Sequence, residues 1–264
     1  MAEIHATAIV HKDAEIDSSV EIGPHCIVEA GVKIGARTKL HAKVSILGHV
    51  EIGEDCEFFP NVVVGARPQI LNAKPGVHPV SIGHRSTLRE NVTIHGATAG
   101  TGEATRLGDD CYIMVNGHLG HDVQTGNKCV FANGVMIGGH CRVGDQVWTG
   151  GGVAVHQFTW IGDHAFIAGG CILTGDVIPF AVAEGNPSHF RTLNAVGLTR
   201  RGFSRGDLQD IRSAVKFIFE GSEDTFAARI GKARSQFADN AYAAKILDFL
   251  ESSRSGRKLC PYSR

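Results

Sequence analysis

The chain has 264 residues, 43% of them hydrophobic and 20% charged, with a formal net charge of -1. This size and apolar content suit one sizeable domain plus a small one, and the near-zero charge gives no global attraction to nucleic acid or an anionic membrane. Seven cysteines, odd in number and scattered, show neither a paired framework nor a C-x-x-C zinc spacing, so free thiols in a reducing cytoplasm are expected.

The N-terminus, Met1-Ala2-Glu3-Ile4-His5, lacks a basic region followed by an apolar core, so no export signal is expected. No run of about 18 apolar residues exists, so no bilayer-spanning helix is expected either. From Ile4 every sixth residue is apolar: Val10, Ile16, Ile22, Val28, Ile34, Leu40, Ile46, Ile52, Phe58, Val64. Glycine often follows (Gly23, Gly35, Gly53, Gly65), and a second, mostly small set such as Ala8, Val20 and Cys26 lies four residues on. The frame breaks over 67–80, resumes at Ile82, Leu88 and Ile94, breaks over 96–106, and runs from Leu107 to Leu173.

A period of six fits neither an amphipathic helix nor a meander. It fits a parallel β-helix with three six-residue sides per coil, about 26 hexads or nearly nine coils. The apolar residue points inward, and the small residue after it is expected to let the chain turn the corner. The two breaks read as loops thrown out of the coil, where function tends to concentrate. The β-helix is expected over 1–180, an irregular connection over 181–200 and a helical unit over 201–264.

In that last unit, "FSRGDLQDIRSAVKFIFEG" reads as a helix with Ser204 as N-cap and Asp207 three residues later. Leu208, Ile211, Val215 and Ile218 form its apolar face. Residues 223–238 and 240–252 continue helically, and the basic end "RSGRKLCPYSR" is expected to fray.

Residues 18 apart stack at about the 4.8 Å strand spacing. His121 then lies under Gly139 and Gln157, and Asp122 under His140 and Phe158, with His156 alongside. Spacing alone collects these polar groups on one patch. Scattered outward histidines are ordinarily just solvated, but here several converge with an acid. His121 has the chemistry of a general base oriented by a carboxylate, and Gly139 lets a backbone N–H approach a developing oxyanion. That is an acyl-transfer constellation. Zinc bound by three histidines is the rival chemistry.

At these residues the sequence resembles the UDP-N-acetylglucosamine O-acyltransferases of lipid A synthesis, enzymes built of hexapeptide repeats. The likeness covers nearly the whole chain, through "IGPHCIV" (22–28), "LRENVTIH" (88–95), "NGHLGHD" (116–122), "GGH" (138–140), "AVHQF" (154–158), "EGN" (184–186) and "GLTRRGFSR" (197–205). The resemblance implies a left-handed parallel β-helix with a small C-terminal α-helical domain, assembled as a cytoplasmic homotrimer with active sites between subunits. It implies transfer of a 3-hydroxyacyl group from acyl carrier protein to a UDP-sugar. No resident cofactor or metal is implied, because phosphopantetheine arrives on the carrier.

The family's base falls on His121, its supporting acid on Asp122 and its oxyanion donor on the amide of Gly139. His118, His140, His156 and Gln157 fall on cleft-lining positions, Asn194, Arg200 and Arg201 on nucleotide- or phosphate-contacting ones, and Gly169 on the acyl-chain ruler. Paired arginines suit phosphate, although two solvated charges before a helix read the same way in sequence. The chain departs from the family pattern at Gln69-Ile70-Leu71-Asn72 (usually Gln-Asp-Leu-Lys), at Gly96-Ala97-Thr98 (usually Arg-Gly-Thr) and at Val196 (usually glutamate). These departures bear on the acceptor more than on the reaction, so a relative using another nucleotide sugar remains an alternative. Two further alternatives stand beside it: a zinc hydratase of the γ-carbonic anhydrase type and a non-catalytic β-helix binding protein.

Overall fold

The computed structural model describes residues 2–100, 102–221, 224–252 and 258–262. Each hexad supplies one very short strand, as in Glu21–Ile22, Ile27–Val28 and Lys33–Ile34 on three successive sides. The second residue of each is buried and the first exposed, the alternation a pleated strand imposes. Coils stack in register 18 residues apart, Glu21 on Lys39 and Ile22 on Leu40. The result is a left-handed parallel β-helix of three sheets with 11, 9 and 8 strands. Phe58, Leu88, Ile113 and Phe131 form one of the fully buried columns inside it. Burying such a side chain contributes about 1.5–3 kcal/mol.

The corners are turned differently from the sequence expectation. The left-handed backbone falls three residues after the inward apolar one and is mostly not glycine: Asp55, Asn61, Asp122, His140 and Phe158 have φ of 57°, 64°, 60°, 59° and 66°. Glycine directly after the apolar residue serves clearance between coils instead. A Cβ on Gly35 would lie 2.7 Å from the backbone carbon of Gly53 in the next coil.

The two frame breaks are the two insertions, between Val63–Ala66 and Val80–Ile82 and between Thr93–His95 and Thr105–Leu107. They brace each other. The Gly96 amide donates to Ala66 O (2.9 Å), and the amides of Ala97 and Thr105 both donate to Pro79 O (3.2 and 3.0 Å).

The span 181–200, expected to be irregular, is ordered. Ala181–Glu184 extends one sheet in parallel, with Val182 opposite Phe166, and His189–Leu193 returns antiparallel to it. Helix α1 (Ala195–Arg200) follows. Helix α2 (Arg205–Glu220) carries the expected capping box between Ser204 and Asp207 and buries Ile211, Val215 and Ile218. Helices α3 (Phe226–Gln236) and α4 (Ala241–Ser252) complete the unit, and Lys245 of α4 pairs with Asp163 of the β-helix. The C-terminal segment was expected to fray, but its described part does not: Leu259 bridges to Asp176, Tyr262 to Phe190, and Cys260 is buried. The rest of that tail, 253–257 and 263–264, lies outside the described residues. All seven cysteines are buried thiols, none of them in a disulfide.

Candidate active site

Strand His118–Leu119 ends in a corner formed by Gly120, His121 and Asp122. Asp122 takes the left-handed backbone there, which a short polar side chain tolerates better than most. His121 Nδ1 lies 2.7 Å from Asp122 Oδ2. An ionised carboxylate only accepts, so Nδ1 carries a proton, and in the neutral imidazole the lone pair is then on Nε2. Asp122 accepts two more hydrogen bonds from Thr98, the backbone N–H to Oδ1 (3.0 Å) and the hydroxyl to Oδ2 (2.8 Å). Its own amide donates to Thr105 Oγ1 (2.8 Å). Burial alone would raise the Asp122 carboxyl, but the bonds from His121 and Thr98 outweigh it and hold it below the usual range. The pair is largely enclosed, with side chains 14% (His121) and 8% (Asp122) exposed.

Around this dyad the structure gathers His118, Gly139 and His140. The ring of His140 meets His121 edge-on at 4.9 Å, and its Nε2 lies 3.6 Å from Asp122 Oδ2. Phe158, one coil further, stacks flat on His140 at 4.6 Å. Burial lowers the His140 pKa, with Asp122 opposing and His121 reinforcing. His118 bonds Thr93 Oγ1 at 2.8 Å and meets the buried His95 edge-on at 4.9 Å. Burial, then repulsion from His95 and His121, pushes His118 down to about 4. These neighbours are therefore neutral near pH 7. Among the described residues the Gly139 amide donates to no acceptor, and a Cβ there would lie 2.6 Å from His121 Cε1.

His156 and Gln157 sit one coil beyond, exposed, with His156 Nδ1 donating to the Gln157 carbonyl at 3.1 Å. The rival metal set takes a different form from three histidines. His121, Asp122 and His140 have ligand atoms within 4.8 Å of one another, but both oxygens of Asp122 are already hydrogen-bonded.

Asn194, Arg200 and Arg201 lie apart from the histidines, around a cavity of about 740 Å³ that Trp148, Phe166 and Val196 also line. Asn194 has a structural task as well. Its Oδ1 caps α1 by accepting from the Gly197 amide (3.2 Å), and its Nδ2 donates to His164 O (2.9 Å). Arg200 is exposed in the last turn of α1. Arg201 is half-buried, burial lowers its pKa, and its Nη1 has no partner among the described residues. Two cations beside two aromatic rings suit a nucleotide phosphate and base.

The sequence is 40% identical to the acyl-[acyl-carrier-protein]–UDP-N-acetylglucosamine O-acyltransferase of Thermodesulfovibrio yellowstonii, over 97% of this chain and 99% of that one. The chain belongs to the UDP-N-acetylglucosamine O-acyltransferase family. The Bartonella henselae enzyme of the same name is 37% identical over 94% of this chain and 90% of its own. The solved Francisella novicida UDP-N-acetylglucosamine acyltransferase superposes with a TM-score of 0.93 at 30% identity, covering 98% of this chain and 94% of that one. A family profile described as Udp N-acetylglucosamine O-acyltransferase, Domain 2, matches residues 176–260.

The departures of this acyltransferase-family chain have local physical settings. Gly96 stands where His78 packs: a Cβ there would lie 2.3 Å from His78 O. Ile70 and Leu71 are exposed apolar residues on the first insertion, and Val196 is exposed at the rim of the cavity. Gly169 is exposed with an ordinary φ; the left-handed corner belongs to Gly170 (φ 70°). Sequence reasoning missed Thr98, Thr105, Thr93 and His95 as partners of the site. The "LRENVTIH" match contained Thr93 and His95, and Thr98 appeared only as the end of the Gly96-Ala97-Thr98 departure, with no role given to any of them.

Proposed function

We propose that the chain is an acyl-[acyl-carrier-protein]–UDP-N-acetylglucosamine O-acyltransferase, catalysing the first step of lipid A biosynthesis. The observation that carries this reading is the His121–Asp122 pair, with Nδ1 committed to an ionised carboxylate and Nε2 left basic. His121 Nε2 takes the proton as the acceptor hydroxyl attacks the thioester carbonyl. The Gly139 amide stabilises the tetrahedral oxyanion, and the imidazolium returns the proton to the departing pantetheine thiol. No resident cofactor or metal enters that sequence. His118, His140, His156 and Gln157 border the reacting groups. Asn194, Arg200 and Arg201 hold the nucleotide end, and Gly169 lies along the acyl chain.

The working form in this reading is a cytoplasmic homotrimer. Ile9, Ile27, Met136 and Ile172 expose apolar side chains on the outer face of one sheet, a surface suited to a second copy. No helix among the described residues is long and apolar enough to cross a membrane.

Incubation with a panel of acyl carrier proteins and UDP-sugars, read by mass spectrometry, tests the assignment. Acylated UDP-N-acetylglucosamine is the expected product. A different acylated sugar, or no product with any pair, would overturn it.

A further inference from the structure

We propose that the second insertion, 96–106, is a clamp that fixes the Asp122 carboxylate, with Thr98 and Thr105 as positioning residues for the base; this rests on the assignment of His121 above.

Three features of the insertion converge on one side chain. Its two feet are pinned to the same atom, since the amides of Ala97 and Thr105 both donate to Pro79 O. Just inside the first foot, Thr98 spans the carboxylate, N–H on Oδ1 and hydroxyl on Oδ2. At the second foot, the buried Thr105 hydroxyl accepts the Asp122 amide. Asp122 is thus held at its backbone and at both oxygens from one segment.

The coil carrying the insertion shows what it adds. Thr87 pairs with Tyr112, a step of 25 residues where the regular coil takes 18. His140 and Phe158 occupy the same corner in the next two coils, and no insertion meets them. The clamp therefore serves the one corner that bears the acid.

The chemical consequence follows from hydrogen-bond direction. A carboxylate free to rotate about its Cβ–Cγ bond would carry the His121 ring with it. Held on both oxygens, it fixes the ring plane and tautomer. The two Thr98 bonds also stabilise the ionised form, so the carboxylate orients His121 without taking its proton. The titratable groups facing the dyad are His140 from the next coil, His118 from the strand that leads into the dyad's own corner, and His95 from the coil before it; burial keeps all three biased to neutral. A change at Thr98 is then read at His121 and Asp122.

The test is steady-state kinetics of full-length Thr98→Val and Thr98→Ser with acyl carrier donor and UDP-sugar. Valine keeps the shape and the amide but removes the hydroxyl donor. It should lower kcat about ten- to hundredfold, the scale of one hydrogen bond to a charged group, while both KM values change little. With one donor lost, Asp122 becomes more basic and holds the imidazolium more tightly, so the acid limb of the kcat profile should move to higher pH. Serine should restore both. Wild-type kcat and pH profile in Thr98→Val, or an effect confined to KM, would overturn the clamp. If Thr98→Val also loses thermal stability, a double-mutant cycle with Asp122→Asn decides. A double variant no slower than Asp122→Asn alone supports coupling through the carboxylate, and additive losses overturn it. His121→Ala run in parallel separates the two failures. Activity in His121→Ala sinks the base assignment, whereas a dead His121→Ala beside a normal Thr98→Val sinks only the clamp.

Discussion

The ring of His121 occupies the space that a side chain at residue 139 would need. A Cβ on Gly139 would lie 2.6 Å from Cε1 and 2.7 Å from Nε2, inside any real contact distance. The same glycine leaves its amide without an acceptor among the described residues. Gly139→Ala should therefore push the imidazole off its line while leaving the β-helix folded, because residue 139 has an ordinary φ. A misplacement of about 1 Å can cost on the order of 10²-fold in rate. Turnover and thermal unfolding of the variant, measured together, check this. Loss of folding with loss of rate would make Gly139 a packing residue only.

His121→Ala should retain fold and assembly and lose about 10²–10⁴-fold in turnover, the usual range for a general base. Asp122→Asn should lower kcat with little change in KM, because the amide neither holds the required tautomer nor stabilises the imidazolium. An effect on KM alone would make Asp122 a substrate contact.

Much of this arrangement was legible because the hexad frame is a ruler. From residue 107 to 173 it places every corner, so Asp122, His140 and Phe158 could be stacked by arithmetic. The frame fails where the coil step changes. Val182 pairs with Phe166 only 16 residues earlier, which hid the ordered strand at Ala181–Glu184. Thr98 lies inside an insertion, where no period applies. Its contact with Asp122 depends on how that loop folds back over Pro79, a tertiary fact that spacing cannot supply.

Protons at buried histidines give the fold an acid sensitivity of its own. Burial is the largest influence on His164, ahead of the charge of Arg201, and lowers it to about 4 from an ordinary 6.5. His118 lies equally low. Between about pH 6.5 and 4 the unfolded chain binds protons that the folded chain refuses, so stability falls as pH drops through that window. Folded carboxylates such as Asp122 titrate lower still and act below it. His164 stacks on Phe180, and its Nδ1 has no partner among the described residues. Phe158 and Phe180 show that phenylalanine is accepted in the same left-handed corner conformation. Thermal unfolding across pH 4–7 should show a shallower decline for His164→Phe than for the unsubstituted chain. Parallel curves would mean that His164 does not control it.

Electrostatic docking of an acidic carrier protein is the next expectation. Arg200 and Arg205 are exposed at the ends of neighbouring helices, whereas Arg201 is turned partly inward. The charge-removing variants Arg200→Gln and Arg205→Gln should lower kcat/KM for the protein donor and flatten its dependence on salt. A rate already flat in salt for the unsubstituted chain would place the docking surface elsewhere.

The last expectation concerns acyl length at Gly169. Residues 121 and 169 are 48 apart, about two and two-thirds coils, an axial offset of about 13 Å at ~4.8 Å per coil. That offset puts Gly169 at a different corner from His121, so in the proposed homotrimer it would meet a histidine cleft only across a subunit boundary. The backbone does not require glycine there. The corner conformation is taken by Gly170, and a Cβ on Gly169 would meet Gly151 O at 3.3 Å, close enough to demand a small shift and no more. What glycine leaves at this exposed position is room. A preference for long donors, on the order of twelve to fourteen carbons, should therefore shift to shorter chains in Gly169→Met, with thermal stability nearly kept. A series of acyl carrier donors of increasing length, run on both proteins, reads it directly. Identical length profiles would make Gly169 a structural glycine and place the end of the acyl groove elsewhere.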